Sequence, residues 1–159
     1  MATALQPGDK APDFKLPSDQ GDELRLKDFA GRTVVLYFYP KDDTSGCTSE
    51  AKAFTAAARD FEAANTVVIG VSKDSVKSHG KFRQKYDLGI RLGADEEGKT
   101  VEAYGVWVEK SMYGRKYMGI ERATFLIDGS GAIRRIWRKV SVTGHAEEVL
   151  AAARALQSS

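Results

Sequence analysis

Two segments, Thr33–Tyr39 (TVVLYFY) and Thr66–Ser72 (TVVIGVS), constrain this chain more than any other feature. Each is an unbroken run of β-branched, aliphatic and aromatic residues. A strand of that composition is apolar on both faces, so it belongs inside a sheet that is covered on both sides. Between the two runs, Cys47, Ala51, Phe54, Ala58 and Phe61 recur at intervals of four and three, the stripe of a single amphipathic helix. Strand, helix and strand in this order predict an α/β fold with a central mixed β-sheet flanked by helices.

The remaining segments extend the pattern. Phe14–Leu16 and Leu24–Leu26 flank the polar stretch Ser18–Asp22 and read as an N-terminal β-hairpin. Ser75–Tyr86 reads as a helix capped by Asp74 or Ser75, Ile90–Ala94 as a short strand and Lys99–Tyr104 as a short helix. Ala123–Asp128 and Ala132–Val140 flank Gly129-Ser130-Gly131, a hairpin turn. The second of these strands alternates poorly, because Ile136 and Trp137 are adjacent. The turn is not a phosphate loop, since no helix start follows it. Ala146, Val149, Leu150 and Ala153 form the stripe of a last helix, with Glu147 and Glu148 at its start and Arg154 near its end, as the helix dipole favours. No repeat or linker interrupts the chain, so one domain over residues 4–157 is expected. The termini, Met1–Gln6 and Gln157–Ser159, are expected to fray.

Composition sets the remaining bounds. A chain of 159 residues buries roughly two-thirds of its unfolded surface and needs no staple. Its one cysteine excludes an internal disulfide, a CxxC redox pair and a cysteine-rich zinc site. His79 and His145 read as surface or helix-end residues and are too few for most histidine metal centres, so neither metal nor cofactor is expected. Lys and Arg total 24 against 22 Asp and Glu, interspersed along the chain, so neither nucleic acid nor membrane is an expected partner. No apolar window approaches the ~18 residues of a membrane span. The N-terminus lacks a signal-peptide pattern, and with a free thiol the expected location is cytoplasmic.

The chemistry concentrates where the first buried strand ends, at Tyr39-Pro40-Lys41-Asp42-Asp43-Thr44-Ser45-Gly46-Cys47. Pro40 cannot donate to a sheet, a polar turn follows, and a helix begins around Thr44 to Cys47. Cys47 then sits in a first helical turn, where free backbone N–H groups and the dipole favour a thiolate. Thr44 lies three residues earlier, where its hydroxyl serves either to cap the helix or to bind a ligand. Gly46 lets a ligand approach the backbone donors. Against this, free cysteines are commonly inert and buried, and Cys47 continues its helix's apolar stripe. Asp42 and Asp43 also disfavour a nearby anion. From the local residues alone both readings of Cys47 stand.

The pattern Pro40-x-x-x-Thr44-x-x-Cys47 resembles the active-site motif of the peroxiredoxins, closest to the bacterioferritin-comigratory or PrxQ subfamily. The stretches YFYPKDDTSGCTSEA, GVSKDSVKSHGKF, AYGVW and MYGRKYMGIERATFLID carry the similarity from about Pro12 to Leu156. The resemblance implies a thioredoxin-like fold and reduction of hydrogen peroxide and small organic hydroperoxides. It implies that Cys47 is the nucleophile, that Thr44 binds the peroxide oxygens, and that Arg122 in GIERATF holds the thiolate and the developing charge. Pro40 would shield the sulfur, and the N–H groups of Gly46 and Cys47 would add fixed donors. Tyr104, Trp107 and Tyr113 would lie near the rim of the site, where packing competes with contact to substrate or reductant.

Two positions depart from the subfamily. Ser45 stands where proline is common and carries no direct chemistry. Lys52 stands where many members have a second, resolving cysteine five residues after the first. The implied cycle therefore uses one cysteine, whose sulfenic acid needs an external thiol: thioredoxin, glutaredoxin with glutathione, or a small thiol. The resemblance suggests a monomer or weak homodimer. The competing functions are a redox sensor or adaptor oxidised stoichiometrically at Cys47, and a holdase or structural module on the same fold. A disulfide reductase is excluded by the missing second cysteine.

Overall fold

The computed structural model describes residues 4–157; the outermost residues of both termini expected to fray, 1–3 and 158–159, lie outside the described residues. A five-stranded sheet forms the centre. It contains β3 (Thr33–Phe38), β4 (Thr66–Ser72), β5 (Arg91–Ala94), β8 (Ala123–Ile127) and β9 (Ile133–Trp137), in the order β5-β4-β3-β8-β9. β3, β4 and β5 pair in parallel, whereas β3–β8 and β8–β9 are antiparallel, so the sheet is mixed as expected. Every residue of β3 is buried, which is why its sequence shows no polar alternation.

Side chains of β3 alternate between two apolar layers. Val34, Leu36 and Phe38 pack with Leu16 and Leu24 of the N-terminal hairpin, β1 (Lys15–Pro17) and β2 (Glu23–Arg25), and with Val101 of α4 (Lys99–Ala103). Val35, Tyr37 and Tyr39 face the opposite layer, built by α1 (Ser45–Ala56), α2 (Ala58–Ala63), α3 (Val76–Tyr86) and α5 (His145–Gln157). The predicted stripe of α5 holds: Ala146, Val149, Leu150 and Ala153 are all buried.

Three expectations need correction. The single helix expected from Cys47 to Phe61 is two helices. At Ala57 the N–H is shared between the carbonyls of Ala53 and Phe54, at 3.3 and 3.2 Å, which tightens the turn and ends α1. The stripe survives the break, with Phe54 and Phe61 buried on either side, because tertiary packing rather than a Pro or Gly sets the bend. The second correction is a hairpin the sequence reading did not anticipate, β6 (Trp107–Met112) and β7 (Arg115–Ile120), separate from the main sheet. Its alternation is obscured because most of both faces is solvent-exposed. The last strand, expected to reach Val140, ends at Trp137.

Neither histidine is a surface residue, although His145, the first residue of α5, does stand at a helix end as one of the two readings expected. His79 is fully buried and His145 nearly so. His79 Nδ1 lies 2.7 Å from Asp42 Oδ2, and Nε2 lies 3.0 Å from the Gly93 carbonyl. Both ring nitrogens face oxygen acceptors, so both carry protons and the pair is imidazolium with carboxylate. Tyr39 and Ser78 donate their hydroxyls to the same carboxylate, at 2.6 and 2.7 Å. Burial by itself would lower the His79 pKa, but the hydrogen bond and charge of Asp42, with the Gly93 carbonyl, outweigh it and raise the value. His145 behaves oppositely: burial, aided by Arg122, lowers its pKa against the pull of Glu148.

Two predictions follow from this packing. A Cβ on Gly70 would lie 2.7 Å from Tyr37 Cζ, and the Tyr37 ring is held by stacking on Phe54 at 4.7 Å. Gly70→Ala should therefore lower stability in urea unfolding by about 1–3 kcal/mol. The second concerns pH. The His79–Asp42 pair contributes fully below the unfolded histidine pKa of about 6.5 and is lost as pH rises through the higher folded value. His145 contributes fully above about 6.5 and is lost as pH falls. Urea titrations from about pH 6 to about pH 9 should show stability falling on the alkaline side, and Asp42→Asn should flatten that fall.

Candidate active site

The site is built where β3 ends and α1 begins. Thr44 is the N-cap of α1, in extended backbone, and Cys47 lies in the first turn. Its thiol is buried, with 2 % of the residue exposed. Arg122 arrives from the segment just before β8 and donates from Nη2 to Cys47 Sγ at 3.3 Å, across 75 residues of sequence. Its Nη1 donates to Glu50 Oε1 at 2.6 Å. The guanidinium is thus clamped between a carboxylate and the sulfur, with its charge directed at the sulfur. Gly46 eases this approach, because a Cβ there would lie 3.1 Å from Arg122 Nη2, close enough to push the guanidinium by a few tenths of an ångström.

Glu50 was not singled out from the sequence. It sits three residues after Cys47, one turn along the buried face of α1, and is 1 % exposed. Burial raises its pKa to about 7, against the charge and hydrogen bond of Arg122. The other oxygen, Oε2, has no partner among the described residues. A glutamate inside an apolar stripe was the available signal, since a buried carboxylate requires a cation.

The two aspartates of the loop do not oppose an anion at Cys47 as expected. Asp42 is spent on Tyr39, Ser78 and His79, and its N–H donates to Asp74 Oδ2 at 2.8 Å. Asp43 accepts from Lys85 Nζ at 2.8 Å and from the Tyr86 hydroxyl at 2.6 Å. Asp43 adopts φ 59°, a left-handed conformation that aspartate tolerates better than most residues. Both carboxylates therefore face α3 and tie the loop to it, leaving Arg122 as the charged group that contacts the sulfur.

Thr44 does not cap α1 with its side chain. Its hydroxyl donates to the Lys41 carbonyl at 2.9 Å, which leaves the hydroxyl oxygen free to accept. Thr44 and Pro40 are both exposed, on either side of the loop that precedes the buried sulfur. The aromatic residues expected at the rim separate. Tyr104 is in the core and donates its hydroxyl to the Pro12 carbonyl at 2.6 Å. Trp107 packs on that same core under Lys73, while Tyr113 stands in solvent at the tip of the β6–β7 hairpin.

Asp42, Asp74 and His79 offer ligand-type atoms within 4.8 Å of one another. They do not fit a metal ion, because both His79 nitrogens carry protons toward acceptors and Asp74 Oδ2 is already bonded to the Asp42 N–H and the Ser72 hydroxyl. No helix among the described residues is long and apolar enough to cross a membrane.

Residues 7–136 match the AhpC/TSA family. The chain is 51% identical over 147 residues to a putative peroxiredoxin bcp of Coxiella burnetii, covering 92% of this chain and 97% of that protein. It is 48% identical to the peroxiredoxin Bcp of Bacillus subtilis, covering 92% and 93%. Among solved structures it superposes on a cysteine-to-serine mutant of Xylella fastidiosa PrxQ with TM-score 0.91, at 39% identity and covering 97% and 98% of the two chains. It superposes on the Xanthomonas campestris bacterioferritin comigratory protein, studied for alkyl peroxide reduction, with TM-score 0.86, at 42% identity and covering 91% and 92%. The fold is thus the thioredoxin-like one that the resemblance implied, and the chain belongs to the AhpC/TSA family as a Bcp/PrxQ-type peroxiredoxin, a thiol-dependent peroxidase with one cysteine.

Proposed function

We propose that the chain reduces hydrogen peroxide and small organic hydroperoxides at Cys47 and is restored by an external thiol. The observation that carries this reading is the 3.3 Å contact from Arg122 to Cys47 Sγ, with the same guanidinium held by Glu50 at 2.6 Å. The Cys47 thiolate attacks one peroxide oxygen. An S–O bond forms as the O–O bond breaks, the sulfur is oxidised by two electrons, and the departing oxygen takes a proton to leave as water or an alcohol. Negative charge spreads over sulfur and both oxygens in that transition state. In this reading Arg122 and the N–H groups of Gly46 and Cys47 are the fixed donors that stabilise it, the Thr44 hydroxyl, which donates to the Lys41 carbonyl, accepts from the peroxide O–H, and Pro40 screens the sulfur from bulk water.

The product is a sulfenic acid on Cys47. Lys52 occupies the position of a resolving cysteine, and the sequence has no second thiol. A thiol from thioredoxin or from glutathione with glutaredoxin displaces water from the sulfenic sulfur to form a mixed disulfide, and a second thiol releases the reduced enzyme. This cycle suits a reducing, cytoplasmic compartment. The alternative, a sensor oxidised stoichiometrically without fast turnover, draws on the same missing cysteine.

Intact mass after one equivalent of peroxide should show one oxygen added to the wild type and none to Cys47→Ser. Steady-state peroxide consumption with a thiol should vanish in Cys47→Ser and fall by about 10²–10³ in Arg122→Ala, the range for losing one fixed oxyanion donor. Oxidation of Cys47 without turnover would favour the sensor, and absence of oxidation would overturn both readings. Gly46→Ala, which pushes on Arg122 while keeping the helix, should slow the reaction with peroxide without preventing folding.

A further inference from the structure

The β6–β7 hairpin is the most unusual surface of the molecule. Among the described residues, four of the five exposed large apolar side chains lie on it: Met112, Tyr113, Tyr117 and Met118. Single exposed apolar residues need no explanation, but a cluster on one ribbon marks a contact surface. The hairpin is anchored at one end only, where Ile120 is buried and Trp107 packs against the core. That anchored end leads through Glu121 directly into Arg122, so the ribbon projects from the edge of the site.

The register separates its two faces. Lys110 pairs with Tyr117 and Met112 with Arg115, so these four share one face; Glu109 pairs with Met118 and Ser111 with Lys116 on the other. The charges differ accordingly. On the second face Lys116 and Glu109 form an ion pair at 3.6 Å. The first face carries Lys110 and Arg115, for which the described residues supply no ion-pair partner. The Lys110 stem lies across Gly119 beside the Tyr117 ring, as the 3.2 and 3.5 Å approaches to a Gly119 Cβ show. Partial burial and repulsion from Arg122 lower the pKa of its ammonium against attraction to Cys47 and Glu121, neither of which is in ion-pair contact with it, and this puts the face within electrostatic range of the site.

We infer that the face formed by Lys110, Met112, Arg115 and Tyr117 is the docking surface for the protein that reduces Cys47, an acidic thiol–disulfide reductase with an apolar surface beside its own thiol. This rests on the proposed one-cysteine cycle, which requires a second protein or small thiol at the mouth of the site. A flat ribbon offers no cavity for a small molecule, whereas Met and Tyr are adaptable, rotamer-economical contact residues for a protein. Two unpaired cations beside an apolar strip match an acidic rim. A second copy of this chain is a poor occupant, because a two-fold contact through this face would gather two copies each of Lys110 and Arg115 in one interface, with no acidic side chain among the four residues of the face to offset them.

The test compares wild type with Arg115→Glu/Tyr117→Ser, neither position being among the hydrogen-bond partners of Cys47, Arg122 or Thr44. Peroxide turnover is measured with dithiothreitol, with thioredoxin and with glutathione–glutaredoxin. For whichever protein reductant supports wild-type turnover, its kcat/KM should fall at least about tenfold in the variant, while turnover with dithiothreitol stays within about twofold. The wild-type KM for that protein should rise with salt, and this dependence should weaken in the variant. Unchanged protein-reductant kinetics would overturn the inference. Equal slowing with dithiothreitol would also overturn it, since the hairpin would then be supporting the site itself. Sedimentation showing a wild-type dimer that the substitutions dissociate would assign the face to self-association instead. Turnover with dithiothreitol but with neither protein would reject a docked protein reductant while leaving peroxidase activity intact. Failure with all three would reject the peroxidase reading, and the docking surface with it.

Discussion

The antiparallel pairing of β3 with β8 is the constraint on which the site depends. Its register sets Phe38 opposite Ala123, so the end of one strand lies beside the start of the other. Cys47 follows β3 after a short loop, and Arg122 immediately precedes β8. Had the two strands run parallel, the cysteine and the arginine would lie at opposite ends of the sheet. The short reach that remains is closed by Gly46, which has no side chain to hold the guanidinium away, and by Glu50, which takes its second nitrogen.

The loop between β3 and α1 is held from the other side. Asp42 and Asp43 both turn to α3 and its flanking residues, one into a buried network with His79, the other to Lys85 and Tyr86 at the surface. The buried pairs, His79–Asp42 and Arg122–Glu50, act more on geometry than on net stability. Desolvation offsets most of their attraction, yet removing one partner strands a charge at a cost of about 3–5 kcal/mol. The loop conformation, including the left-handed Asp43, is thus specified by contacts that tolerate little rearrangement.

Most of the fold was legible because its signals are local. The runs at 33–39 and 66–72, the α5 stripe, the N-terminal hairpin and the cap at Asp74 or Ser75 (it is Ser75) were each written in consecutive residues, and each formed within a residue or two of its expected place. The misses share a cause. The break at Ala57 has no Pro or Gly to announce it, because it follows from packing against the sheet and α5. The β6–β7 hairpin lacks a clean alternation, because it is wet on both faces. His79 and His145 read as surface or helix-end residues, and their burial was missed even though His145 does begin α5, because nothing near them in sequence reveals that Asp42 and Thr124 will be their partners, across 37 and 21 residues.

By itself the sequence determined the α/β class, the position of Cys47 in a first helical turn, and the solitude of its thiol. These depend on composition, periodicity and spacing, which act over a few residues at a time. Tertiary structure decided the electrostatics. It brought Arg122 to the sulfur and Glu50 to Arg122, and turned Asp42 and Asp43 away to α3. The local sequence, read alone, set two carboxylates against a buried thiol with no cation in view. Charge acts through space, so which charge faces the sulfur was settled by how distant segments of chain pair in the sheet.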